Sequence, residues 1–155
     1  MTEAKKKKFG IYAAPPLLRL IEERTNDQRS PTRLVNTVAD RYLGIVQHSV
    51  PVLSVTEWSE TLVALRQRLT TEDVPNLATL WDDVEDTLWN AKIADEQTGD
   101  VSQLANKLRQ LRFSETVALV DVAERFWQRY SATSDITEAL EALGVEVCHD
   151  KDSTT

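Results

Sequence analysis

The segment Lys8-Phe9-Gly10-Ile11-Tyr12-Ala13 constrains this chain more than any other. It alternates in polarity, with Gly10 counted as outward, and no second convincing strand lies nearby. Successive side chains of a strand point to opposite faces, so Phe9, Ile11 and Ala13 share one face and Lys8, Gly10 and Tyr12 the other. A lone strand leaves its backbone N–H and C=O groups without partners and is not stable by itself. The economical solution is the same strand from a second copy, antiparallel across a two-fold axis. The segment therefore predicts a homodimer.

Two helices come next in the chain. Pro15-Pro16 stops a strand ladder, because proline donates no hydrogen bond, yet its fixed φ suits a first helical turn. Leu17, Leu18, Leu20 and Ile21 then recur at a helical rhythm, with Arg19, Glu22, Glu23 and Arg24 off the stripe. Thr25–Arg29 is a polar turn. Ser30 is a good N-cap with Pro31 at the first helical position, a strong start signal. Leu34, Val35, Val38, Tyr42, Leu43 and Val46 give the second helix an apolar face, which ends at His48–Pro51.

From Lys5 to Val46 this order of basic tail, short strand, helix, polar turn and Ser-Pro-headed helix resembles the ribbon-helix-helix DNA-binding family. The resemblance implies that two strands pair into a ribbon lying in the major groove of double-stranded DNA, with outward side chains reading base edges. By position it gives Lys8, Gly10 and Tyr12 the base-reading places, within a DNA-binding set that also takes in Lys5, Lys6 and Lys7. Ser30, Pro31, Thr32 and Arg33 fall where the family's second helix presents free N–H groups to a phosphate. Phe9, Ile11, Ala13, Leu34, Val38 and Tyr42 fall in the dimer core. Two features depart from the pattern. Gly10 puts no side chain at the middle reading position, and Ala13-Ala14-Pro15-Pro16 replaces the usual larger core residue, single proline and acidic residues. Two plainer readings stand beside this one: four lysines as a solvated tail, and a short edge strand with two ordinary helices inside one larger helical domain.

Charge divides the chain in the same place. Residues 1–50 hold nine Lys and Arg against five Asp and Glu, whereas residues 51–155 hold nine against twenty. A basic end joined to an acidic body points to nucleic-acid binding at the basic end only. The expected organisation is a ribbon-helix-helix module over 1–50, an acidic helical domain over 51–148 and a loose tail over 149–155, mainly α in class. Val50–Val55 reads as an apolar linker. Beyond it, Trp58, Leu62, Leu65 and Leu69 form one stripe, and Leu77, Leu80, Trp81, Val84 and Leu88 another, starting at Asp73-Val74-Pro75. Asp95–Gly99 is a polar turn, after which Asp100 can cap a helix using Val101, Leu104, Leu108 and Leu111. Ser114 either caps a further helix over 115–130 or lies within a continuation of the previous one. Asp135 caps a last short helix that Gly144 stops.

The body shows no chemistry of its own. No glycine-rich loop succeeds a strand, and no His/Cys/Asp cluster has ligand spacing. Asp82, Asp83, Glu85 and Asp86 form an acidic cluster, but His48 and His149 lie in the linker and tail, so a solvated face is favoured over a metal site. Cys148-His149 sits in the expected tail. Trp58, Trp81 and Trp127 fit core packing, and Trp89, slightly off its stripe, is the best interface residue. No enzyme and no cofactor are expected. The basic MTEAKKKK start is succeeded by an apolar stretch, Phe9–Ala14, too short for a signal peptide. No apolar run approaches the roughly 20 residues that span a bilayer. The expectation is a bacterial cytoplasmic protein: a dimeric, sequence-specific DNA-binding protein acting as a transcriptional repressor, its helical domain serving as effector or assembly unit and able to build a higher assembly. Two alternatives remain open. One is an antitoxin or plasmid transfer or partition accessory protein whose residues 56–143 bind a protein partner. The other is a helical interaction protein that never touches nucleic acid.

Overall fold

The computed structural model describes residues 15–25, 30–71, 79–94, 101–131 and 133–148. The strand expected over 8–13 lies outside them, as do most of the turn before Ser30, the start signal Asp73–Pro75, the cap Asp100 and the tail from His149. Seven helices occupy the described residues: α1 (Pro15–Arg24), α2 (Pro31–His48), α3 (Val55–Thr71), α4 (Leu80–Ala94), α5 (Val101–Arg109), α6 (Phe113–Arg129) and α7 (Ile136–Ala142). The chain divides into two compact units, residues 1–42 and 43–155. The break falls inside α2, whereas composition alone puts the boundary near residue 50.

In the first unit, α1 opens on the two prolines and closes where the Thr25 N–H reaches the Ile21 carbonyl at 3.0 Å. None of its residues is buried. α2 starts at Ser30-Pro31: the Ser30 hydroxyl accepts the Arg33 N–H at 3.3 Å, and the Ser30 carbonyl takes the Leu34 N–H at 3.1 Å. Leu34 is the one buried side chain among the described residues of this unit.

The second unit is built around α3. Ser54 and Glu57 form a reciprocal capping box, with the Glu57 N–H on the Ser54 hydroxyl at 3.2 Å and the Ser54 N–H on the Glu57 carboxylate at 2.8 Å. Trp58, Leu62 and Leu65 on the next turns are fully buried, and α3 packs against α4, α6 and α7. α4 answers with Leu80, Val84 and Leu88 at four-residue spacing, and α5 with Val101, Leu104 and Leu108. The broad apolar face of α6 is buried as its breadth predicts, through Ala118, Leu119, Val122, Ala123 and Phe126. The Trp58 indole N–H finds no acceptor among the described residues, an orphan that costs about 1–3 kcal/mol. Burying an indole of roughly 200 Å², worth about 5 kcal/mol at ~25 cal/mol per Å², outweighs that.

Three sequence expectations change here. The helix after Arg109 neither continues nor starts at a Ser114 cap. The chain breaks at 110–112, and Glu115 reaches back to take the Arg112 N–H at 2.7 Å, so Ser114 lies in the first turn. The linker is not a bare tether: Pro51 and Leu53 are buried. Cys148 is not loose either, since its N–H donates to the Leu53 carbonyl at 3.3 Å and it bridges Ser54 in parallel register. At the far end Asp135 caps α7 by accepting the Glu138 N–H at 3.0 Å, and Gly144 turns the chain at φ 79°.

Two outcomes test this packing. Leu53→Ala should destabilise the body by about 2–5 kcal/mol in denaturant titrations, as core deletions do, whereas Val52→Ala, at an exposed position, should stay within about 0.5 kcal/mol. The Glu124 carboxyl is pushed above its ordinary value of 4.5 by burial and then by Asp121. A raised folded-state pKa favours the protonated form, so its contribution is present at low pH and lost as pH rises through that value. Glu124→Gln should therefore raise the melting temperature at pH 7, and the gain should fade below pH 4.5.

Candidate nucleic-acid interface

The described part of the expected interface is the N-terminal end of α2. Ser30, Pro31, Thr32 and Arg33 are all exposed there. Pro31 has no N–H, Arg33 gives its own to Ser30, and Leu34 bonds the Ser30 carbonyl, so the Thr32 N–H is left without a partner among the described residues. A helix start combining an unpaired N–H, a hydroxyl and a guanidinium suits a phosphate oxygen, because the aligned peptide dipoles leave partial positive charge at that end. Thr37 turns inward instead, its hydroxyl donating to the Arg33 carbonyl at 2.8 Å. Lys5, Lys6, Lys7, Lys8, Gly10 and Tyr12 lie outside the described residues, as do Phe9, Ile11 and Ala13.

The remaining expected dimer residues form a row at four-residue spacing on one face of α2. Leu34 is 5% exposed, but Val38 is 39% and Tyr42 42% exposed. Leu18 of α1 stands at 48%. Periodicity puts Leu18 on an apolar stripe but carries no sign that this member of it is exposed, so the sequence does not single it out.

Within the second unit the acidic cluster is partly neutralised. Arg109 of α5 pairs with Asp82 at 3.0 Å and also with Glu85, whose two carboxylates raise its pKa through side-chain hydrogen bonds. Among the described residues no group of three His, Cys, Asp or Glu side chains is placed to hold a metal. Trp89, the sequence's interface residue, is half-buried against the core like Trp81 and Trp127, with its N–H on Glu85 at 3.4 Å. A groove of about 380 Å³ runs between the end of α2, α6 and the 143–145 turn. Its apolar floor includes Leu43, Val46 and Val145. Its two charges already meet each other, Arg125 donating to Asp121 at 2.8 Å and also reaching the Leu143 carbonyl at 3.4 Å. No described helix is long and apolar enough to cross a membrane.

No family model, curated protein or solved structure matches the chain.

If Ser30 caps α2 as its geometry indicates, Ser30→Ala should cost about 1 kcal/mol of stability at the start of the helix. Amide exchange over residues 32–36 of the full chain should read this as faster local opening. Ser30→Asp should restore the protection, since aspartate caps equally well.

Proposed function

We propose that this chain is a dimeric, sequence-specific DNA-binding protein of ribbon-helix-helix type, acting as a transcriptional repressor, with the helical body as its effector or assembly domain. The observation that carries the reading is the apolar row on the first unit. Leu18, Val38 and Tyr42 are exposed, and Leu34 alone is buried among the unit's described residues; chains of about forty residues usually need a staple or a second copy to be stable. A second copy supplies the missing cover. The basic excess of residues 1–50 and the open Ser30–Arg33 helix start then sit on the same unit as the dimer contact. A body with its own buried core favours an effector or assembly role over the short, disordered partner-binding tail that antitoxins of this family usually carry.

Sedimentation and DNA selection on the full chain test this together. The wild type should sediment as a dimer at micromolar concentration and select a defined sequence, while Tyr42→Lys should be monomeric with an intact body. Tyr12→Ala should lower discrimination by about 1–3 kcal/mol. Lys6→Ala should weaken all sequences alike and reduce the salt slope by roughly one. A folded wild-type monomer, or a dimer that selects no DNA, would overturn the reading.

A further inference from the structure

α2 runs unbroken across the boundary between the two units, and from Val38 to Leu43 every position is exposed. Six successive residues make more than one and a half turns at about 3.6 per turn, so over that length every face of the helix is open to solvent. Tertiary packing supplies most helical stability in proteins, and a short unpacked stretch is marginal in water. At the end of this stretch stands Gly44, just past the boundary at Tyr42 and just before Val46, the residue that anchors α2 in the body. In a helix interior glycine weakens the helix about four- to five-fold relative to alanine. Nothing among the described residues requires that weakness. Beyond its own helix, a Cβ on Gly44 would meet no atom of the described residues within 4 Å, and its backbone is ordinary right-handed helix, unlike Gly144 with its positive φ.

We propose that Gly44 is a hinge in α2, the point at which the body moves relative to the N-terminal unit. The inference rests on the two-unit division and the exposure of α2, not on the DNA-binding reading. The two agree where they meet. If a second copy covers Val38 and Tyr42, Gly44 lies between that contact and Val46, which is buried in the body. A hinge there lets the two bodies of one dimer reorient independently while the paired units keep their grip on each other.

The rival explanation is that a second chain approaches α2 so closely at position 44 that only glycine fits. Gly44→Ala in the full-length chain separates the two. A hinge predicts that wild-type amides 43–48 exchange faster than those of α3, and that α1 and α6 amides report unequal rotational correlation times by ¹⁵N relaxation. Gly44→Ala should slow exchange at 43–48 about five-fold and bring the two correlation times together, with the sedimentation coefficient and oligomeric state kept. The proposal is overturned if wild-type 43–48 exchange as slowly as α3. It is equally overturned if the correlation times do not move, or if Gly44→Ala dissociates an oligomer, which would assign the glycine to a close contact between copies.

Discussion

Burial of one face of α3 is the constraint on which the rest of the body depends. Trp58, Leu62 and Leu65 are fully buried on consecutive turns, and each of the two leucines stabilises the fold by about 1.5–3 kcal/mol. The same helix collects polar contacts that fix what lies against it. Glu57 holds the Ser54 N–H, which sets where the helix begins, and also takes the Lys107 ammonium of α5 at 2.7 Å. One turn further on, the Trp127 indole donates to the Leu62 carbonyl at 2.9 Å, and the Arg66 guanidinium lies 4.7 Å above the Trp127 ring. Hydrophobic burial is non-directional, so these directional contacts help select the packing of α6 on α3 and tie α5, which packs on α4, to the start of α3.

The first unit shows the opposite condition. Its described helices are well started, α1 by two prolines and α2 by Ser30-Pro31, but local start signals are worth about a kilocalorie each and cannot replace a core. Most helical stability in proteins comes from packing, and of the described residues there Leu34 alone is buried. The body, by contrast, has an extensive buried core among its described residues. The two units thus differ in how much their described residues bury, and the helix they share crosses that boundary within a few residues of Gly44.

How much of this is legible in the sequence depends on how local each signal is. Ser30-Pro31, Asp135 and Gly144 can be read directly because caps and stops are decided by neighbours within four residues. The stripes of α3, α4 and α5 are legible for the same reason, since periodicity needs only the helix itself. What escapes is non-local. The linker looks like a tether because the Leu53 carbonyl finds its donor at Cys148, near the opposite end of the body sequence. The break before α6 carries neither glycine nor proline, and rests on Glu115 folding back to Arg112. At the expected interface, the apolar row of α2 and the exposed Ser30–Arg33 helix start are legible, but a period of 3.6 cannot tell which members of a row are buried, as Leu34 is, and which stay exposed, as Val38 and Tyr42 do.

Where the cations go divides the labour between the units. Residues 51–155 contain nine lysines and arginines, no fewer than residues 1–50. Many of those in the body are committed internally: Lys107 to Glu57, Arg109 to Asp82 and Glu85, Arg112 to Glu115, Arg125 to Asp121, and Arg66 to the Trp127 ring. The hydrogen bond from the Arg112 guanidinium, then that from its backbone N–H, even holds the Glu115 carboxyl below its usual value. A guanidinium held by a carboxylate offers little to a phosphate, because breaking the existing pair offsets most of the new attraction. The twenty carboxylates outnumber these partners, so the body's surface field is negative and opposes a polyanion. On the first unit Arg33 stands exposed beside a Thr32 N–H that no described residue engages. Charge and pairing together thus make the described helix start of the first unit a better match to a phosphate than the acidic surface of the body.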